Sequence, residues 1–163
     1  SDSAFERYDV ARSLGDTDEA IVSSVHEALG HAASLSRFFW PSGYGKRSYA
    51  AVHEGRATRL RRAFNLAEDS PLRSRGLRDA LEHFDERLDR YLLENDAGEF
   101  FPSAIVGDAT AAAEPTANVF RLVDPAKQVF VVMGEAFDFG PIRGEVKRVL
   151  VAAVDRAARG GRL

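Results

Sequence analysis

Apolar residues recur at helical spacing over most of the first hundred positions. In 16–39, Ile21, Val25, Leu29, Ala32 and Leu35 return every three or four residues, after Asp16, Thr17 and Asp18, which suit a helix start. That predicts one long helix, ended by Phe38, Phe39, Trp40 and the breaker Pro41. Residues 3–14 predict a shorter helix closed by Gly15, and 48–64 a second long one with Tyr49, Val52, Leu60, Ala63 and Phe64 turned toward a core. After the loop 65–71, Ser70 and Pro71 open a helix over 71–94, where Leu77, Leu81, Phe84, Leu88, Tyr91 and Leu92 form the most continuous apolar stripe in the chain.

The period then changes. Residues 98–102 interrupt it, 107–115 read as a small-residue loop, and 118–122 and 128–133 are rich in Val and Phe around the turn 124–127. A β-hairpin is predicted, with 135–138 as a third short strand, before a last helix from Pro141 to about Arg156. The expected fold is mainly α: a single domain over 1–163, a bundle of four or five helices with a small hairpin or three-stranded sheet at about 118–138.

Composition narrows the chemistry. The chain has 163 residues and no cysteine, which removes disulfide scaffolds, zinc ribbons, iron–sulfur clusters and thiol catalysis. No apolar run approaches the roughly 20 residues of a membrane span, and the first residues show no signal-peptide core, so a cytoplasmic protein without membrane contact is expected. The net charge of −3 gives no global case for nucleic-acid binding. Yet from Lys46 to Arg78 nine basic residues face three acids, so that this segment carries +6 and the remainder −9. Such asymmetry can place a positive face on an acidic molecule. A compositional bias toward arginine, with 19 of the 22 basic residues Arg, explains it equally well.

Two motifs fail on geometry. His26-Glu27-Ala28-Leu29-Gly30-His31 resembles a zincin helix, but five residues separate the histidines by about 140° on a helix, so no metal site is expected. Gly43-Tyr44-Gly45-Lys46-Arg47-Ser48 lacks the phosphate-loop spacing and follows a helix instead of a strand. Phe38, Phe39, Trp40 and Tyr44 could line a small-ligand pocket, although an aromatic cluster at a helix end more commonly packs the core.

Arg78-Asp79-Ala80-Leu81-Glu82-His83 is different. On a helical wheel His83 lies about 130° from the apolar stripe, with Asp79 beside it and Arg78 at about 90°. Asp79 and His83 are i and i+4, so the carboxylate can hold the imidazole in one tautomer; Arg78 is about 7.5 Å away along the axis. These groups suit RNA cleavage without a metal or other cofactor. An imidazole titrating near neutrality can take the proton of a ribose 2′-hydroxyl, and a guanidinium can grip the phosphate. One copy per chain supplies a single imidazole, so a symmetric dimer would supply both base and acid. A bland account competes, because Arg78, Glu82, Glu86 and Arg90 also make an i, i+4 ladder on a solvated helix.

An Arg, a polar residue, three more residues and a His within a long helix is similar to the R-x4-H signature of HEPN domains. The resemblance spans residues 16–95; the hairpin lies outside it. It implies a helical bundle that dimerises through the motif helices, and an endoribonuclease of a toxin–antitoxin, abortive-infection or related defence system. Arg78 would match the family arginine, Asp79 its polar residue and His83 the catalytic histidine. Arg59, Arg61 and Arg62 are candidate contacts to the RNA backbone, and an antitoxin protein is the implied partner. The other reading is a non-catalytic helical module for dimerisation or a protein partner.

Overall fold

The computed structural model describes residues 2–41, 47–114 and 116–161, with the backbone alone at Arg47, Ser48, Arg75 and Arg78. The loop holding Tyr44 and Lys46 therefore lies outside the described residues. The mainly α expectation holds, with six α-helices and two small sheets among the described residues. No described helix is long and apolar enough to cross a membrane.

Helix α1 (Asp2–Leu14) ends at Gly15, whose φ of +65° lets its N–H and that of Asp16 return to the carbonyls of Arg12 and Ala11. Helix α2 (Asp18–Phe39) starts on Thr17, whose hydroxyl accepts from the Ala20 N–H at 3.3 Å. It buries Val22, Val25, Ala28 and Leu29 completely and is the centre of the molecule, touching α1, α3 (Arg47–Ala63), β2 (Ile105–Val106) and β4 (Arg121–Asp124). Helix α6 (Gly140–Ala158) turns Ile142, Val146 and Val149 inward, against α1 and the 3₁₀ turn Pro71–Arg73.

The single helix expected over 71–94 is three pieces: the 3₁₀ turn, α4 (Arg75–Glu82) and α5 (Phe84–Glu94). The path bends at Ser74, with ψ 113°, and at His83, with φ −113° and ψ 41°. The cause is a change of docking partner along one apolar stripe. In α4, Leu77 and Ala80 are buried and the helix lies on α2. In α5, Tyr91 meets Phe120 edge-on at 5.9 Å and reaches the Asn118 amide oxygen, and Arg87 pairs with Glu135. A straight helix would have to satisfy both surfaces at once.

The sheet region is also richer than the expected hairpin. Strands β4 (Arg121–Asp124), β5 (Val129–Val132) and β6 (Glu135–Asp138) run antiparallel in succession, and β2 (Ile105–Val106) adds parallel to β4, giving the order β2-β4-β5-β6. The β5–β6 connection is Met133-Gly134, both at positive φ, as a two-residue hairpin turn requires. The segment expected as one strand over 118–122 is divided. Its first part belongs to β3 (Ala117–Val119), which pairs parallel with β1 (Glu99–Phe101) in a separate ribbon. The loop expected over 107–115 holds a 3₁₀ turn, Ala109–Ala113.

The uninterrupted Val129-Phe130-Val131-Val132 run follows from cover on both faces. Phe130 and Val132 join the main core beneath α2, whereas Val131 packs with Leu122 and Val119 in a smaller cluster bounded by Ala109, Ala112 and Phe101. Asp124, 2% exposed, ties the two together: its carboxylate accepts the backbone N–H groups of Ala109, Ala126 and Lys127, each at 3.0 Å. Strands β2 and β6 are the outer strands of the sheet.

Candidate functional site

His83 stands at the α4–α5 bend. Its backbone N–H closes α4 on the Asp79 carbonyl at 3.1 Å, and its carbonyl receives the Arg87 N–H at 3.0 Å. The residue thus belongs to both helices while its side chain, 56% exposed, leaves the surface. Nδ1 lies 3.7 Å from Glu86 Oε2 in the first turn of α5. Glu86, which the spacing places in a ladder with Glu82, thus brings a carboxylate within ion-pair reach of the imidazole.

Glu82 pairs with Arg37 in the last turn of α2, and Glu86 faces His83. Asp79 is half-buried on α4, and the backbone of Arg78 precedes it. The Arg78 side chain lies outside the described residues, so its reach toward His83 stays an expectation. Arg90 is exposed two turns along α5 from His83. Arg37 escaped the sequence reading because its partner is 45 residues away and no local spacing announces it.

The three arginines of α3 separate into two roles. Arg61 is turned inward, its side chain 16% exposed. It donates to the Phe39 carbonyl at 2.6 Å, pairs with Glu54 at 3.1 Å and lies 3.5 Å from Glu68. It fastens the end of α2 to α3. Arg59 and Arg62 are exposed, and among the described residues neither pairs with a carboxylate.

Of the aromatic cluster, Phe39 is 2% exposed and meets Phe64 edge-on at 5.8 Å, with Trp40 at 6.0 Å. These are packing contacts. Phe38 is 52% exposed, with the Arg56 guanidinium 5.4 Å from its ring centre; Tyr44 lies outside the described residues.

The two histidines of α2 also diverge. The His26 ring sits 5.9 Å from Phe130, and burial, with the Arg121 charge adding to it, pushes its pKa below the ordinary value. His31 meets Glu27 at 3.3 Å, and Glu27 also pairs with Arg7.

Chemically, the bend presents an exposed imidazole beside a carboxylate on a backbone fixed by two helices. That combination can accept or deliver a proton to a solvent-side substrate. No protein-family model matches the chain, and neither a curated protein nor a solved structure matches it.

Proposed function

We propose that this chain is a metal-independent endoribonuclease resembling the HEPN domains, a helical bundle working as a homodimer on RNA and held in check by an antitoxin-like protein. The observation that carries this reading is the placement of His83: exposed, off the core, and faced by Glu86 through Nδ1. With Glu86 beside Nδ1, Nε2 is the ring nitrogen proposed to act as base. In the proposed step His83 takes the proton of a ribose 2′-hydroxyl. The 2′-oxygen bonds to the neighbouring phosphorus, the bond to the 5′-oxygen breaks, and the leaving oxygen takes a proton from the second subunit's imidazole. Arg78 would neutralise charge on the phosphate, with Asp79 orienting the motif from its own helix.

The test is His83→Ala. Cleavage of a single-stranded RNA in the presence of a chelator is expected to fall at least 100-fold, on the scale of lost acid–base catalysis, while helical content is unchanged. A variant as active as the parent removes His83 from the mechanism.

The non-catalytic reading has its own support. Leu150, Val151 and Val154 of α6 are 43%, 54% and 58% exposed, an apolar face suited to another protein surface. Under that reading RNA stays uncut at every concentration, and His83→Ala alters association or nothing.

A further inference from the structure

Helix α3 carries five arginines and one acid, Glu54, which is paired with Arg61. Its outward stripe runs Tyr49, Val52, Arg56, Arg59, at i, i+3, i+7 and i+10, so the four share one face. Tyr49 and Val52 are 56% and 66% exposed. Beside the stripe is an open groove of about 420 Å³, lined by Val52, Gly55, Arg56, Arg59 and neighbours. A side chain at Gly55 would meet nothing within 4 Å, so the groove floor is unobstructed there.

Two features choose the occupant. Arg56 and Arg59, which pair with no carboxylate among the described residues, favour a polyanion on an otherwise acidic molecule. Exposed rings among them, Tyr49 stacked on His53 at 6.4 Å with 22° between planes and Phe38 under Arg56, offer platforms for unpaired bases. A duplex hides its base faces and would use only the charge. We infer that the α3 face, with Phe38 of α2, binds a single-stranded RNA, its phosphates on Arg56 and Arg59 and its bases on Tyr49 and Phe38.

The face connects to the bend. Phe38 follows Arg37, and Arg37 holds Glu82, the residue before His83. On the ribonuclease reading, a strand bound on this face would run past Phe38 toward the α4 end. In this respect the inference rests on the ribonuclease reading and gives it a substrate class: unpaired RNA, entering from α3.

Fluorescence anisotropy with a labelled 2′-O-methyl oligouridine, which cannot be cleaved through its 2′-oxygen, separates binding from chemistry. The wild type is expected to bind with an affinity that falls steeply between 50 and 200 mM salt (about tenfold per few phosphates contacted). Arg56→Gln/Arg59→Gln is expected to weaken binding at least tenfold, and Tyr49→Ala by roughly tenfold with Tyr49→Phe retaining affinity. All these positions are exposed, so circular dichroism should not change. Absence of binding at low salt, equal affinity for a duplex of the same length, or unchanged affinity in Tyr49→Ala would each overturn the inference. Binding intact with no cleavage of natural RNA would sink only the catalytic reading; cleavage intact with the α3 variants binding normally would sink only this one.

Discussion

The guanidinium of Arg37, in the last turn of α2, holds the carboxylate of Glu82, the last residue of α4 before His83. This pair fixes where α4 ends relative to α2. Both side chains keep substantial solvent contact, 49% and 34%, so the pair contributes at most about 1 kcal/mol to stability. Arg37→Ala should therefore barely move the unfolding midpoint. RNA cleavage should drop by a larger factor, because the imidazole loses its positioning. Denaturant unfolding and cleavage rate, measured on the same sample, check this; equal small effects on both would make the pair merely structural.

His26 gives the fold a pH dependence near neutrality. Its folded-state pKa lies below the ordinary value of 6.5, chiefly because burial disfavours the charged ring. The unfolded chain then binds a proton that the folded chain refuses. Stability is full above the unfolded pKa and falls as pH drops through 6.5 toward the lower folded value. Asp108, held below the carboxylate range first by Lys127, and Asp124, held there first by the Ala109 N–H, lose their contributions only at more acid pH. Urea unfolding at pH 7.5 and 5.5 should show a loss that His26→Gln reduces; an equal loss in the variant would assign it elsewhere.

Tyr8 is 1% exposed, its hydroxyl makes no well-aligned hydrogen bond among the described residues although the Arg12 guanidinium lies near it, and its ring meets Phe139 edge-on at 5.8 Å. A buried hydroxyl without a partner opposes folding. Tyr8→Phe should keep the ring contact and raise stability by about 1 kcal/mol, read from the denaturation midpoint. A destabilised variant would show that the hydroxyl is bonded in solution.

Gly98 has φ +104°, and a Cβ there would lie 2.7 Å from the Thr116 carbonyl oxygen. That same oxygen accepts the Glu99 N–H at 2.8 Å where β1 joins β3. Gly98→Ala should cost about 1–3 kcal/mol through backbone strain and loosen the ribbon. Hydrogen exchange at the amides of β1 and β3 would report it; unchanged protection would mean the ribbon yields without cost.

Much of the helical frame was legible because its signals are local. Gly15, Thr17 and the apolar spacing of Val25, Leu29 and Ala32 act within a turn or two of themselves. The bend at His83 was not, since the stripe of Leu77, Leu81, Phe84 and Leu88 is equally periodic on either side of it. Only the two docking surfaces, α2 for Leu77 and Phe120 for Tyr91, require the break. Strands β1 and β2 were hidden for a related reason: three and two residues long, they exist through parallel partners such as Ala117 and Leu122, 17 or 18 positions away. At the candidate site, the exposure of His83 followed from the wheel. Glu86 as its neighbour is an i, i+3 relation that spacing does contain, whereas the inward turn of Arg61 depended on the tertiary contact to the Phe39 carbonyl.

Among the described residues, strand β6 leaves one row of backbone donors and acceptors without a neighbouring strand. Such a row invites a second molecule to extend the sheet. In a symmetric antiparallel addition centred on β6, Glu135 of each chain would stand across from Asp138 of the other, and like charges directly opposed are unfavourable. The acids at both ends of this short strand, Glu135 partly offset by Arg87, thus oppose edge-to-edge pairing there.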